Sequence, residues 1–95
     1  LIYLNQVRAR ARQGNVGVLP DITETNKNAL RDIILHERRV ELALEGHRFW
    51  DLIRTNKAAT VLGPLGFVAG KHELLPIPQT EIDLTQGVLT QNPGW

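Results

Sequence analysis

The spacing of apolar and polar residues predicts three helices in the first two thirds of the chain. In these stretches an apolar residue returns every three or four positions, which is the period of a helix with one buried side. The predicted helices cover residues 1–12, 27–44 and 47–62, and Thr25 or Asn26 can cap the second. We therefore expect a mainly α-helical chain.

The second predicted helix carries acidic residues inside its apolar stripe. In ideal helical phase one face holds Leu30, Ile33, Ile34 and Leu44. Glu37 and Glu41 fall in the middle of that face. A carboxylate on an apolar face costs several kcal/mol unless it is paired and hydrogen-bonded. We therefore expect Glu37 and Glu41 to be buried and paired, with Arg38 or Arg48 as the partner. The predicted structural ion-pair network comprises Glu37, Arg38, Arg39, Glu41, Glu45, Arg48 and Asp51.

The last third of the chain has a different character. Prolines and glycines recur from residue 63 onward, and the residues that precede proline avoid helical geometry. Residues 63–95 are therefore predicted to form an irregular tail, in which residues 80–84 could make a single helical turn.

Composition excludes several kinds of chemistry. The 95 residues carry a net charge of +1, so no overall field attracts nucleic acid or acidic lipid. Arg8, Arg10 and Arg12 are interpreted as ordinary solvated charges on the first helix rather than as phosphate ligands. The absence of cysteine excludes disulfides, thiolate metal sites and thiol catalysis. No apolar run approaches the ~20 residues of a membrane span.

Two catalytic hypotheses arise from the acidic residues. His36-Glu37 begins like the zinc-binding HExxH motif, but the second histidine position is Val40, so we predict neither a metal nor another cofactor. Glu37 and Glu41 lie one helical turn apart, about 6 Å, a spacing that alone permits a glycosidase carboxylate pair. Their aliphatic neighbours leave no room for a sugar, so no catalytic residue is predicted. A glycoside-hydrolase fragment using these two glutamates stays open as an alternative, as does a helical protein-interaction module.

The same region carries a family resemblance. Residues 37–43 read Glu-Arg-Arg-Val-Glu-Leu-Ala, and residues 45–54 read Glu-Gly-His-Arg-Phe-Trp-Asp-Leu-Ile-Arg. They resemble the hallmark of SusD/RagB-like proteins, and residues 3–11, 75–84 and 89–95 resemble flanking segments in the same order. One departure is the order Phe49-Trp50, where many members have Trp-Phe, which leaves open which ring is buried. Because members are several times longer, the chain resembles their C-terminal portion.

The resemblance implies both a function and a location. SusD/RagB-like proteins are surface-exposed outer-membrane lipoproteins of the Bacteroidetes that serve starch and polysaccharide utilisation. They bind oligosaccharides or other nutrients without a cofactor, as a lid on a SusC-like TonB-dependent transporter. Their fold is mainly α-helical and built on tetratricopeptide-like helix pairs. By this resemblance the chain is a structural segment, and its only membrane attachment is a lipid anchor upstream. No ligand-binding residue can be assigned by motif.

The central helix also predicts how the chain behaves alone. Apolar residues lie almost all round residues 30–44, yet only about two other helices are available to cover them. Exposed apolar patches above a few hundred Å² usually find a partner. We therefore expect the isolated chain either to self-associate or to be marginally stable.

Overall fold

The computed structural model describes residues 1–95 and contains helices and turns but no β-strand. The chain forms two compact units, Leu1–Glu45 and Gly46–Trp95. Unit 1 contains α1 (Ile2–Arg12) and α2 (Lys27–Glu41). Unit 2 contains α3 (Arg48–Arg54), α4 (Ala58–Leu62), a 3-10 turn (Gly63–Leu65) and α5 (Gln79–Leu84). The mainly α-helical prediction is confirmed. No helix has both the length and the apolar character needed to cross a membrane.

One face of α1 holds the loop that follows it. The side chain of Asn5 accepts from the backbone N–H of Ile22 at 2.8 Å and donates to its carbonyl at 3.0 Å. Arg8 Nε donates to the carbonyl of Pro20 at 3.0 Å, and Arg12 forms an ion pair with Asp21. These three side chains recur every three or four residues, so they share one side of the helix. The interpretation of Arg8 and Arg12 as solvated charges was therefore wrong.

Helix α2 begins where predicted but ends early. The Asn26 side chain accepts from the N–H groups of Asn28 and Ala29, at 3.0 and 3.1 Å, and so caps the helix. The helix stops at Glu41, and Leu44 has a φ of 67°, in the left-handed region. Leu44 is therefore fully exposed rather than part of a buried stripe. The apolar side chain that α2 does bury is Leu35, which lies outside the predicted face.

Unit 2 divides the predicted helix over 47–62 into two. Its core is Leu52, which is fully buried, together with Ala58. Between them, Asn56 adopts a φ of 55°, and the Lys57 N–H donates to the Leu52 carbonyl at 2.8 Å. This left-handed residue breaks the helical path, so α3 ends at Arg54 and α4 starts at Ala58.

The tail is irregular apart from α5 and is tied down by side chains near its end. The amide of Gln91 makes hydrogen bonds with both the N–H and the carbonyl of Ile77, each at 2.8 Å. The indole N–H of Trp95 donates to the carbonyls of Lys71 and Leu74, at 3.2 and 3.1 Å. The Lys71 ammonium lies 4.4 Å from the Trp95 ring centroid. Trp95 is therefore held against the segment around Lys71 and Leu74 within unit 2.

Candidate functional site

Two ion pairs join α1 to α2 in unit 1. Arg8 Nη1 lies 2.6 Å from Glu37 Oε2, and Arg10 Nη2 lies 2.6 Å from Glu41 Oε2. Both distances are those of strong charge-assisted hydrogen bonds. The two glutamates occupy successive turns of α2, so the two pairs hold neighbouring turns of the helices together.

The two pairs differ in how much water reaches them. The side chains of Arg8 and Glu37 are 12% and 11% exposed, whereas those of Arg10 and Glu41 are 74% and 27% exposed. A pair shielded from water is costly to break, because removing one member leaves a buried charge unpaired. An exposed pair is screened and contributes little. The Arg8–Glu37 pair is therefore the structural centre of unit 1.

The two carboxylates were predicted from the sequence, but Arg8 and Arg10 were not. Glu37 is buried and Glu41 is half-buried, and the guanidinium groups 2.6 Å from them belong to Arg8 and Arg10 of α1. Arg8 lies 29 residues from Glu37, and no local spacing rule links positions that far apart. The signal that the sequence offered for these partners was a row of polar residues on α1 that lies beside its row of apolar residues.

The other members of the predicted network are distributed over both units, and each unit is described by itself. Arg38 is half-buried beside Glu37 and Glu41, while Arg39 and Glu45 are exposed. In unit 2, Arg48 is half-buried, and buried Asp51 accepts from Arg54 at 2.7 Å. Unit 1 thus contains the two ion pairs that join α1 to α2, and α3 contains the Asp51–Arg54 contact.

An open groove runs between α1 and α2 beside the ion pairs. Its volume is about 480 Å³. We call it the α1–α2 groove. Its lining residues are Tyr3, Leu4, Val7, Arg10, Ile34, Glu37, Arg38, Glu41 and Leu42. Four of these residues are aliphatic, four are charged and one is aromatic, and most of the lining surface is apolar.

The chemistry available in this groove is limited. Each glutamate already has an arginine guanidinium on its Oε2 atom, so both carboxylates are engaged in ion pairs within the chain. Nowhere along residues 1–95 do three or more histidine or acidic side chains come together as metal ligands would. The groove is better suited to apolar side chains than to a sugar or an ion.

Aromatic rings gather in unit 2. Phe49 contacts Trp50 edge-on at 5.2 Å between centroids, and it also faces Phe67 at 6.4 Å. His72 lies between Phe67 and Trp95, at 5.7 and 5.5 Å. Phe49 is half-buried and Trp50 is exposed, so of these two rings the phenylalanine is the more buried.

Comparison with known proteins gives a consistent result. The model of the SusD family matches residues 1–66. The chain is 45% identical over 78 residues to SusD-like protein P38 of Formosa agariphila, a match that covers 78% of this chain and 15% of that protein. It is 37% identical over 101 aligned positions to SusD-like protein P2 of the same organism, covering 98% of this chain and 20% of that protein.

A solved structure extends the similarity to three dimensions. The structure of a laminarin-binding SusD-like protein superposes with a TM-score of 0.76 at 46% sequence identity. The match covers 97% of this chain and 17% of that one. The chain thus spans between 15% and 20% of the length of these relatives.

Proposed function

Because the chain belongs to the SusD family, we propose that it is a structural C-terminal part of a longer protein that binds a glycan or another nutrient. The observation that carries this proposal is the match of almost the whole chain to one part of a laminarin-binding SusD-like protein. In this proposal the 95-residue chain stabilises the fold of the longer binding protein, and the glycan contacts lie mainly outside the 95 residues.

The contacts within the chain support a structural role. The charged groups beside the α1–α2 groove are engaged with one another, through Arg8–Glu37 and Arg10–Glu41. The side chain of Gln91 forms hydrogen bonds with the backbone of Ile77, and that of Asn92 donates one to the carbonyl of Leu75. A small-molecule site needs a few polar groups that are free to bind its ligand. The polar groups of these two clusters are largely engaged within the chain.

The proposed location is the outer surface of the cell. We propose that the longer protein is an outer-membrane lipoprotein, attached through a lipid anchor outside this segment. There it acts as a lid on a SusC-like TonB-dependent transporter, and binding is non-covalent without a cofactor. A gene for such a transporter beside this one, and co-purification of the two proteins, would support this part of the proposal.

Calorimetric titration of the complete protein with laminarin oligosaccharides tests the binding function. We expect saturable binding by the complete protein and none by the 95-residue chain alone. Chromatography of the same mixtures should show the oligosaccharides intact. A panel of other glycans and nutrients covers the case in which laminarin itself does not bind.

Three outcomes would contradict the proposal. Binding of the oligosaccharide by the isolated chain would place the site in this segment. Hydrolysis that disappears in both Glu37→Gln and Glu41→Gln would favour a glycoside hydrolase. Failure to bind any of the panel, with stable capture of a protein partner, would favour an interaction module.

A further inference from the structure

A short turn in the tail is closed by the side chain of its own histidine. The backbone N–H of His72 donates to the Val68 carbonyl at 3.0 Å, and the Val68 N–H donates to His72 Nδ1 at 2.9 Å. These hydrogen bonds join the two ends of residues 68–72, which we call the His72 turn. Because Nδ1 accepts a hydrogen bond, the imidazole in this arrangement is neutral and carries its proton on Nε2.

The His72 turn forms the place where Trp95 is held. The His72 ring lies between the rings of Phe67 and Trp95, at 5.7 and 5.5 Å between centroids. The Trp95 indole N–H donates to the carbonyl of Lys71, which belongs to the turn. Gly94 passes so close that a Cβ on it would lie 3.1 Å from the Cβ of Lys71. Movement of the His72 ring would therefore remove one wall of the place that Trp95 occupies.

Protonation of His72 is incompatible with the closed turn. An imidazolium carries a proton on each nitrogen, so Nδ1 becomes a donor and faces the Val68 N–H, which is a donor too. Turning the ring over does not restore the hydrogen bond, because a ring carbon then takes the place of Nδ1. The charged ring must leave its position, or Val68 must move away from it.

The charged groups near the ring do not replace the lost acceptor. The Lys71 ammonium lies 4.4 Å from the centroid of the same indole that His72 contacts, so it repels a second positive charge there. Glu73 attracts an imidazolium, but its Oε2 atom already accepts from the Gly70 N–H at 2.8 Å. Residues 66–68 and 91–94 carry no ionisable side chain, and Trp95 adds the terminal carboxylate of the 95-residue chain. Attraction by either carboxylate returns no acceptor to Val68.

We propose that His72 is a pH-sensitive switch that holds Trp95 in place when neutral and releases it when protonated. Histidine is the side chain whose charge ordinarily changes between about pH 5 and about pH 8. Because the closed turn needs the neutral ring, Trp95 is held at the alkaline end of this range and released at the acidic end. The hydrogen bonds of Gln91 and Asn92 involve no titratable group, so the release is confined to the segment around Trp95.

Fluorine NMR of the complete protein labelled with 5-fluorotryptophan tests the switch, and Trp95→Phe assigns the Trp95 resonance. His72→Asn is the matched variant, because its Oδ1 atom stands near the place of Nδ1 and accepts from Val68 at every pH. His72→Phe keeps an aromatic ring but removes the acceptor. His47→Gln is the control for an exposed histidine in the same unit. Hydrogen–deuterium exchange of residues 67–73 follows the turn itself.

We expect the Trp95 resonance to move towards its position in the urea-unfolded protein as the pH falls from about 8 to about 5. The same movement should occur in His47→Gln and not in His72→Asn. In His72→Phe the resonance should be displaced at both ends of the range. At about pH 5 the turn should exchange at least about tenfold faster in the unsubstituted protein than in His72→Asn, and at about pH 8 the two rates should agree within about threefold.

Three results would overturn the proposal. The first is a Trp95 resonance that does not move with pH in the unsubstituted protein. The second is a movement of equal size in His72→Asn, because another group would then be responsible. The third needs no variant at position 72: histidine labelled with ¹³C reports the protonation of His72, and its midpoint must coincide with that of the Trp95 resonance. No sample contains a glycan, so the result is independent of the proposed binding function.

Discussion

The two ion pairs of unit 1 provide a controlled test of how burial sets the strength of a salt bridge. Both have the same 2.6 Å contact and both join α1 to α2. Glu37→Gln removes the charge of the shielded pair while it preserves the shape of the side chain. Glu41→Gln makes the same change in the exposed pair and is therefore the matched control.

The expected magnitudes follow from solvent exposure. Removing one member of a buried pair costs about 3–5 kcal/mol, and the remaining 11–12% exposure of Arg8 and Glu37 places this pair at the low end. We expect Glu37→Gln to lower the free energy of unfolding by about 3 kcal/mol. The exposed pair should be worth less than about 1 kcal/mol. For a domain of this size each kcal/mol shifts the melting temperature by about 4–8 °C.

A double-mutant cycle separates the energy of the Arg8–Glu37 ion pair from the energy of the other contacts that these two residues make. Arg8→Met also removes the hydrogen bond from Nε to the Pro20 carbonyl, so its cost exceeds that of the ion pair alone. The coupling energy between positions 8 and 37 should be about 2–3 kcal/mol, and that between 10 and 41 well under 1 kcal/mol. Replacing the shielded pair by Arg8→Met with Glu37→Leu should restore much of the loss, because apolar residues need no partner.

The assay is unfolding in urea, which is monitored by far-UV circular dichroism. The buried apolar core is small, so an excluded osmolyte such as trimethylamine N-oxide is added to keep a folded baseline in every variant. Equal losses from Glu37→Gln and Glu41→Gln would refute the assignment of Arg8–Glu37 as the structural centre. A larger loss from Glu41→Gln would refute it as well.

The remaining predictions concern local contacts. Asn26→Ala should cost about 1 kcal/mol in thermal melts because α2 loses its cap, while Asn26→Ser should be nearly neutral. Trp95→Ala should cost about 1–2 kcal/mol through the loss of its bonds and its contact with Lys71, and Trp95→Phe should recover part of this. Gln91→Ala should speed amide exchange at Ile77 at least tenfold, whereas unchanged exchange would show that another group protects that amide.

The first two helices were predictable because local signals determine them. The apolar period located α1 and α2, and Asn26 stands at the start of α2 as an N-cap residue. The end of α2 was not predictable from period alone. Leu44 continues the apolar pattern, yet its backbone is left-handed and its side chain faces solvent. A periodic pattern cannot show where the backbone leaves the helix.

The candidate site was half predictable for a similar reason. Placing Glu37 within an apolar stripe correctly predicted a buried carboxylate that needs a cation. The choice among arginines depends on how α1 folds back onto α2, which is a long-range property of the chain. Proximity in the sequence suggested Arg38 or Arg48 and gave no indication of Arg8, which the folded structure brings to 2.6 Å.

Complementation tests most directly whether this chain is a structural part of a glycan-binding protein. The remainder of the polypeptide is expressed separately, and its binding of laminarin oligosaccharides is measured by calorimetry with and without the 95-residue chain. We expect that neither part binds alone, and that the mixture binds within about tenfold of the affinity of the complete protein, a difference of about 1.4 kcal/mol. Full binding by the remainder without this chain, or any binding by the chain alone, would contradict it.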